Sequence, residues 1–331
     1  MTLVAFASVY FLLSLPKLDE SHWKEKLRRI DFLGAAVLVI AISTLLLGLD
    51  HGSNVAWSSP VTISCLCVAF PLSCIFVLVE MKVAVEPFTP GHIIFERSLI
   101  ACFLCNFFSF GGYLAAIFYI PLFFQAVDGL SATQAGVRLI PCIVSGVSGS
   151  LFAGLLMQKT GRYYWLTVIA YTWLTIGMLP IILFSGVVTN STWGICAGLV
   201  ICGFANGIGV TSSLIGLISN ASREDQAIVT ACSYLFRSLG SGVGVSLAAT
   251  VVQQTLRTQL HNSLKSGKDA DKIIRGVRES LEYIKTLDPE VKQIVRLCYE
   301  KSTRAGFVLM ICILSGAMVS SFFVKEKKLS R

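Results

Sequence analysis

The side chains in this chain that could do covalent, metal or proton chemistry are few and do not converge. Cys102 and Cys105 form a CxxC, the spacing of a zinc or dithiol pair, yet no second pair and no His stands near them in the sequence. The four histidines, His22, His51, His92 and His261, all fall in polar joints between long apolar stretches, and the acids Asp31, Asp50, Glu80 and Asp128 fall at stretch ends. A hydrolase or metalloenzyme needs a convergent nucleophile, base or ligand set. This pattern therefore argues against an enzyme and calls for no cofactor and no metal. Two arginines stand apart, Arg138 in AGVRLIP and Arg237 in YLFRSLG, each inside an apolar stretch, a few residues from its start and near a membrane face. Such charges are expensive and take a specific role. Three roles are open: snorkelling or capping carbonyls of a neighbouring helix, anchoring a gate between helices, and direct contact with a solute.

The elements that position them are nine apolar stretches: 1–15, 31–49, 61–80, 98–124, 133–157, 163–185, 193–219, 226–252 and 305–324. A helix needs about 20 apolar residues to cross a hydrocarbon core of about 30 Å. Hydrophobic residues make up 54% of the 331 and charged residues 14%, far from a soluble composition. The fold class is an all-α polytopic membrane protein embedded in a lipid bilayer. Ten of the eleven cysteines lie in these stretches as small packing residues, and Cys298 lies in a joint.

Charge orients the chain. With joint 17–30 taken as cytoplasmic, the inside joints and the tail collect fourteen Lys and Arg, whereas the short outside joints 50–60, 125–132 and 186–192 hold none. That asymmetry is the positive-inside rule and predicts a cytoplasmic C-terminus. The outside joint 253–304 carries eleven Lys and Arg, offset in part by its own acids, and long loops translocate with less regard to charge. The net charge of +8 thus reflects orientation and requires no nucleic-acid partner. The basic tail 325–331 could also face anionic lipid.

Small residues mark helix crossings. Gly203 and Gly207 form one GxxxG, Gly240 and Gly244 another, and Gly146 and Gly149 crowd a face of an earlier span. Such spacing lets backbones approach closely and provides surfaces on which helices can slide. In joint 253–304, Ile273, Val277, Leu281 and Ile284 predict an amphipathic helix, and Asp288-Pro289 predicts the start of a second short one. This joint is expected to be a solvated connector over the outer mouth, with a lid as the other reading. Asn190-Ser191-Thr192 is a glycosylation sequon on the same side.

Three segments carry a family resemblance. Residues 119–141 (YIPLFFQAVDGLSATQAGVRLIP), which contain Gln125 and Arg138, resemble a signature of the major facilitator superfamily, in particular its fourteen-span drug:proton antiporter branch common in fungi. Residues 154–163 (GLLMQKTGRY), with Gly154, Gly161 and Arg162, resemble the superfamily's cytoplasmic loop motif in its second-half copy, with Gln158 where an Asp is usual. Residues 234–246 (YLFRSLGSGVGVS) are similar to a late-span motif of the same branch, nearest in wording to its vacuolar basic amino acid transporters.

The resemblance implies the later part of a family member. Residues 1–16 would be a clipped helix, 17–30 a cytoplasmic linker, 31–80 the extra helix pair of fourteen-span members and 81–97 a second linker. Residues 98–324 would be the C-terminal six-helix bundle of two inverted three-helix repeats, with 325–331 as the tail. It further implies proton-coupled carriage of a small cationic or amphipathic solute, basic amino acids first, at the vacuolar membrane. Alternatives are multidrug export at the plasma membrane, and a non-transporting half-carrier that lacks or borrows an N-terminal half. In this fold the first, second, fourth and fifth helices of a bundle line the path. The path candidates are then Asn106, Tyr113, Asn206, Thr211 and Tyr234, with Ser109 and Ser212 beside them. The glycines and arginines named above, with Gln125, would pack and gate. No acid in these spans could neutralise a cationic side chain, so that partner would come from the other half.

Overall fold

The computed structural model describes residues 32–82, 93, 96–264, 273, 276–277 and 281–327. The clipped helix 1–16, linker 17–30, most of linker 81–97 and the end of the tail lie outside the described residues. The architecture is all-helical: α1 Phe32–Asn54, α2 Pro60–Lys82, α3 Arg97–Ala126, α4 Ala132–Val137, α5 Ile140–Thr160, α6 Tyr164–Leu183, α7 Thr192–Asn220, α8 Gln226–Ser263 and α9 Pro289–Ser321, with a 3-10 turn at Glu282–Thr286. Eight segments of the described residues are long and apolar enough to cross a membrane, α4 and α5 together counting as one.

The helix pairings follow from an internal exchange. If α3, α5 and α6 form one repeat and α7, α8 and α9 the other, then α5 packs on α7 as α8 packs on α3. Likewise α6 packs on α7 as α9 packs on α3, and α3 meets α7 and α6 meets α9 directly. These are the pairings that two inverted three-helix repeats require. Two neighbour relations break the symmetry: α8 also touches α7, and α8 and α9 lie along each other. The reason for the α8–α9 contact is their length: α8 runs on to Ser263 and α9 begins at Pro289.

Both helices therefore differ from the sequence reading. Joint 253–304 is not one long connector; its first part continues α8, and the short helix expected after Asp288-Pro289 runs unbroken into the last span. Asp288 does occupy the N-cap position, with Pro289 in the first turn. The connecting segment is packed: Val277, Ile284, Val295, Cys298 and Tyr299 are all buried, and the Tyr299 hydroxyl donates to the Val277 carbonyl at 2.8 Å. Among the described residues of this joint, Val277 and Ile284 thus bury themselves with Leu256 and Leu260 of α8 and Val295 of α9 in one apolar cluster, where a solvated connector would leave them exposed.

A second difference concerns the stretch 133–157. It is broken at Arg138-Leu139 into α4 and α5, because Pro141 can sit only where its missing N–H is not needed, in the first turn of a new helix. Ser131 opens α4 with a capping box: its hydroxyl accepts from the Gln134 N–H, and the Gln134 side chain accepts from the Ser131 N–H. Gly161 ends α5 at φ 66, the left-handed conformation that glycine adopts without strain.

At the opposite end the chain is tied down by Tyr163, which is fully buried. Its hydroxyl donates to the Lys325 carbonyl (2.9 Å) and accepts from Asn220 Nδ2 (2.8 Å) and the Lys327 N–H (3.0 Å). The Lys325 N–H reaches Ser98 Oγ at 3.2 Å, and Arg97 lies over the Phe323 ring. This knot joins α3, α6, α7 and the start of the tail. Tyr163→Phe removes the shared hydroxyl, so tryptic cleavage after Lys325 and Lys327 should accelerate about tenfold, the equivalent of one net hydrogen bond. An unchanged cleavage rate in that variant would mean the hydroxyl does not hold the tail.

The α1–α2 pair stands to one side, meeting the bundle along α8, with Leu46 against Gly242. Between this pair and α3/α8 lies an apolar cleft of about 250 Å³, lined by residues such as Phe76, Phe103, Phe236 and Leu239.

Candidate functional site

Within the bundle the glycines set how near the helices come. A Cβ on Gly203 or Gly207 would lie 2.3 Å from the Cys142 carbonyl oxygen or 2.0 Å from that of Gly146, where α7 crosses α5. A Cβ on Gly240 or Gly244 would lie 2.1 Å from the Phe107 carbonyl or 2.3 Å from that of Gly111, where α8 crosses α3. Both crossings are backbone on backbone, and they are related by the repeat exchange. Gly149 completes the first crossing against the Phe204 carbonyl. Gly154 has nothing within 4 Å of its Cβ position.

Close crossings bring short polar side chains into reach. Asn106 on α3 is completely buried. Its Oδ1 accepts from Arg237 Nε of α8 (3.1 Å) and from Ser213 Oγ of α7 (3.2 Å), while its Nδ2 donates to Ser233 Oγ of α8 (3.2 Å). Arg237 can only donate, which fixes the orientation of the amide. Arg237 Nη2 reaches the Val210 carbonyl at 3.5 Å, and the guanidinium lies 5.3 Å from the centre of the Phe110 ring and 5.4 Å from that of Tyr234. Both rings present negative faces to the charge. Arg237 stands eleven residues past Gln226. At 1.5 Å per residue that is about 17 Å along the helix, near the middle of a 30 Å core. The side chain thus lies two-fifths of the way along the apolar stretch 226–252, further in than the few residues read from the sequence, and it reaches α3 at Asn106.

The other path candidates form a second line. Tyr113, two turns beyond Asn106 on the same face of α3, brings its hydroxyl to 3.2 Å from Cys142 Sγ of α5. Thr211 of α7 pairs with Ser150 of α5 at 2.7 Å. The Asn206 Oδ1 is buried with no hydrogen-bond partner, a state that costs about 1–3 kcal/mol. Tyr234 is 57% exposed on the open side of α8. Ser109 and Ser212 turn back to their own helices, donating to the Asn106 and Gly209 carbonyls.

The gating candidates do not assemble into one cluster. Arg138 caps α4 and covers the Phe124 ring at 5.5 Å, with its Nη1 buried and without a partner. Gln125 donates to the Pro121 carbonyl one turn back (3.2 Å), and the exposed Arg162 follows Gly161 in the turn to α6. In the sequon, Asn190 Nδ2 and Thr192 Oγ1 both donate to the Asp128 carboxylate at 3.2 Å, so the loop before α7 is fastened to the loop after α3. Cys102 and Cys105 face different helices: Cys102 Sγ lies beside Gly216 of α7, and Cys105 Sγ donates to the Ala317 carbonyl of α9.

Ser213, Ser233 and Phe110 complete the node around Arg237 and were not among the residues read from the sequence. Spacing held the signal for two of them. Ser233 is one turn before Arg237, and Ser213 is seven residues beyond Asn206, hence on its face, whereas Ser212 is not.

Helix order, inverted pairing and glycine crossings define a membrane protein of the major facilitator type. A family model described as Major Facilitator Superfamily matches residues 32–245, and the chain belongs to that superfamily. It is 33% identical over 327 residues to the vacuolar membrane amino acid uptake transporter fnx2 of Schizosaccharomyces pombe, covering 98% of this chain and 56% of that protein. It is 33% identical to the multidrug resistance protein fnx1 of the same yeast (91% and 57% covered), and 31% identical to the vacuolar basic amino acid transporter 2 of Saccharomyces cerevisiae (88% and 63%). The chain thus spans a little over half the length of these relatives. Among solved structures it is similar to a bacterial homolog of the human lysosomal transporter Spinster in an inward-facing, occupied conformation. The TM-score is 0.57 at 15% identity, covering 87% of this chain and 66% of that one, a likeness of fold.

Proposed function

We propose that this chain is the C-terminal part of a secondary carrier that moves basic amino acids across the vacuolar membrane, driven by a proton gradient. The observation that carries this reading is the buried Asn106–Arg237 node. Three helices of the path bring hydrogen-bonding groups to mid-depth of an otherwise apolar bundle, beside the exposed Tyr234 ring. The similarity to fnx2, a vacuolar amino acid uptake transporter, and to the vacuolar basic amino acid transporter 2 of Saccharomyces cerevisiae supports amino acids as the solute class.

Alternating access in this reading needs a second bundle facing Tyr234, Ser238 and Ser241, side chains that α8 leaves exposed or half-exposed. The glycine crossings hold each helix pair rigid, so the bundle rocks as a unit. The orientation is the one that the basic joints favour, with the tail after Tyr163's knot in the cytoplasm. The acid that would neutralise a Lys or Arg side chain would belong to the second bundle.

The test is uptake of labelled arginine, lysine and histidine into vacuolar membrane vesicles from cells expressing the protein, with and without a protonophore. Protonophore-sensitive uptake above the level of a deletion strain is the expected result. No uptake despite correct insertion would favour a half-carrier that transports nothing by itself. Drug export is the second reading, favoured by the equal identity to the multidrug resistance protein fnx1. It predicts tolerance to toxic compounds and no arginine uptake.

A further inference from the structure

We infer that Arg237 is a carboxylate anchor: its guanidinium grips the carboxylate of the bound solute, so the site selects amino acids over the corresponding amines. This rests on the carrier reading above and names what that site recognises.

The argument starts from an unbalanced charge. Arg237 is 7% exposed and lies near mid-depth, yet no carboxylate among the described residues pairs with it. An ordinary structural arginine at such a depth is neutralised by an acid or uses all its donors on carbonyls. Here Nε is committed to Asn106 Oδ1 at 3.1 Å, and Nη2 makes one long contact to the Val210 carbonyl at 3.5 Å. Nη1 makes no hydrogen bond to the described residues. The Nη1–Nη2 edge, the end of the fork that binds a carboxylate through two parallel N–H···O bonds, is therefore available.

The surroundings hold that edge in place. Asn106 fixes Nε, and Ser233 and Ser213 fix Asn106 in turn, so the guanidinium is oriented before any solute arrives. The Phe110 and Tyr234 rings lie against it and keep water from its faces. A pre-oriented, half-satisfied guanidinium in an apolar setting binds an oxyanion far more strongly than one in water. The cationic end of the same solute would find no acid paired with Arg237 among the described residues and would be left to point away from α8. A lipid phosphate could offer the same oxyanion chemistry, and the experiment separates the two sources.

The experiment is equilibrium binding to the full 331-residue chain in phosphatidylcholine nanodiscs, using labelled arginine and labelled agmatine, which is arginine without its carboxylate. Arginine should bind about 30-fold tighter than agmatine, the magnitude of a hydrogen-bonded contact to a charged group. Arg237→Gln should abolish the preference for arginine over agmatine, and Arg237→Lys, which keeps the charge but loses the fork, should leave part of it. Equal binding of arginine and agmatine by the unaltered chain overturns the anchor and leaves the carrier reading standing, a comparison that does not depend on any variant folding. Loss of the arginine preference when phosphatidic acid is added assigns the fork to a lipid phosphate and overturns the proposal. Binding of neither compound overturns both readings for this chain.

Discussion

Gly207→Val and Gly244→Val each abolish assembly of the six-helix bundle, whereas Gly154→Val leaves it intact. The contrast follows from what each Cβ meets. At Gly207 it would fall 2.0 Å from the Gly146 carbonyl oxygen, and at Gly244 2.3 Å from that of Gly111. These neighbours are helix backbone and cannot rotate aside, so the two axes must separate by an ångström or more. Opening a crossing forfeits dispersion contacts along the whole helix pair, and in lipid those contacts are the main force holding helices together. Adding a methylene to a packed core costs about 1–3 kcal/mol. A valine against an immovable backbone exceeds that, reaching about 4 kcal/mol or more, which few proteins survive. Gly154, with nothing within 4 Å, is the control on the same helix as Gly146. Gel-filtration profiles and thermal melts of the detergent-solubilised chain provide the measurement. A Gly207→Val variant as monodisperse and as stable as Gly154→Val would show that the crossings are looser than described.

Asn106→Leu destabilises the chain by about 3 kcal/mol, and adding Arg237→Met to that variant restores most of the loss. Alone, the leucine removes the acceptor of Arg237 Nε and leaves a buried guanidinium half unpaired, beside Ser213 and Ser233 hydroxyls that lose their shared partner. Hydrogen bonds to charged groups are worth about 1.5–3 kcal/mol, and stranding the charge costs more than the bond itself. Removing both partners takes the charge away with its acceptor, so the penalty largely vanishes. A double-mutant cycle on unfolding in mixed micelles measures the coupling. Additive effects of Asn106→Leu and Arg237→Met would refute the node as a coupled unit. The double variant also separates stability from function, since it folds yet lacks the group proposed to hold a carboxylate.

Much of this molecule was legible in one dimension. Stretch length gave the spans, the glycine pairs marked the positions that later proved to be crossings, and the motif around Pro121, Arg138 and Pro141 pointed to the superfamily that the family model assigns over residues 32–245. Partners were less legible. A helix in lipid is apolar on every side, so its hydrophobic pattern does not tell which face packs inward. Arg237 was noticed because a charge in an apolar stretch is conspicuous, but its depth and its acceptor were not. The acceptor lies 131 residues away on another helix. Ser213 was missed in favour of Ser212 for the same reason, since one residue's difference turns a side chain by 100° and only the position of α3 decides which serine faces Asn106. The charges of the segment after α8 read as those of a solvated connector, whereas Val277 and Ile284, among its described residues, are buried because α8 and α9 extend to meet them.

The sequence by itself determined that the chain is a polytopic helical membrane protein of this superfamily, because span length, charge asymmetry and motif are local properties set by bilayer thickness and the backbone. Only the tertiary structure decided that α3, α7 and α8 meet at one buried amide, that no acid among the described residues pairs with Arg237, and that Tyr163 ties down the tail. Those contacts join residues more than a hundred positions apart. They exist because paired glycines let the backbones come close enough for short side chains to touch.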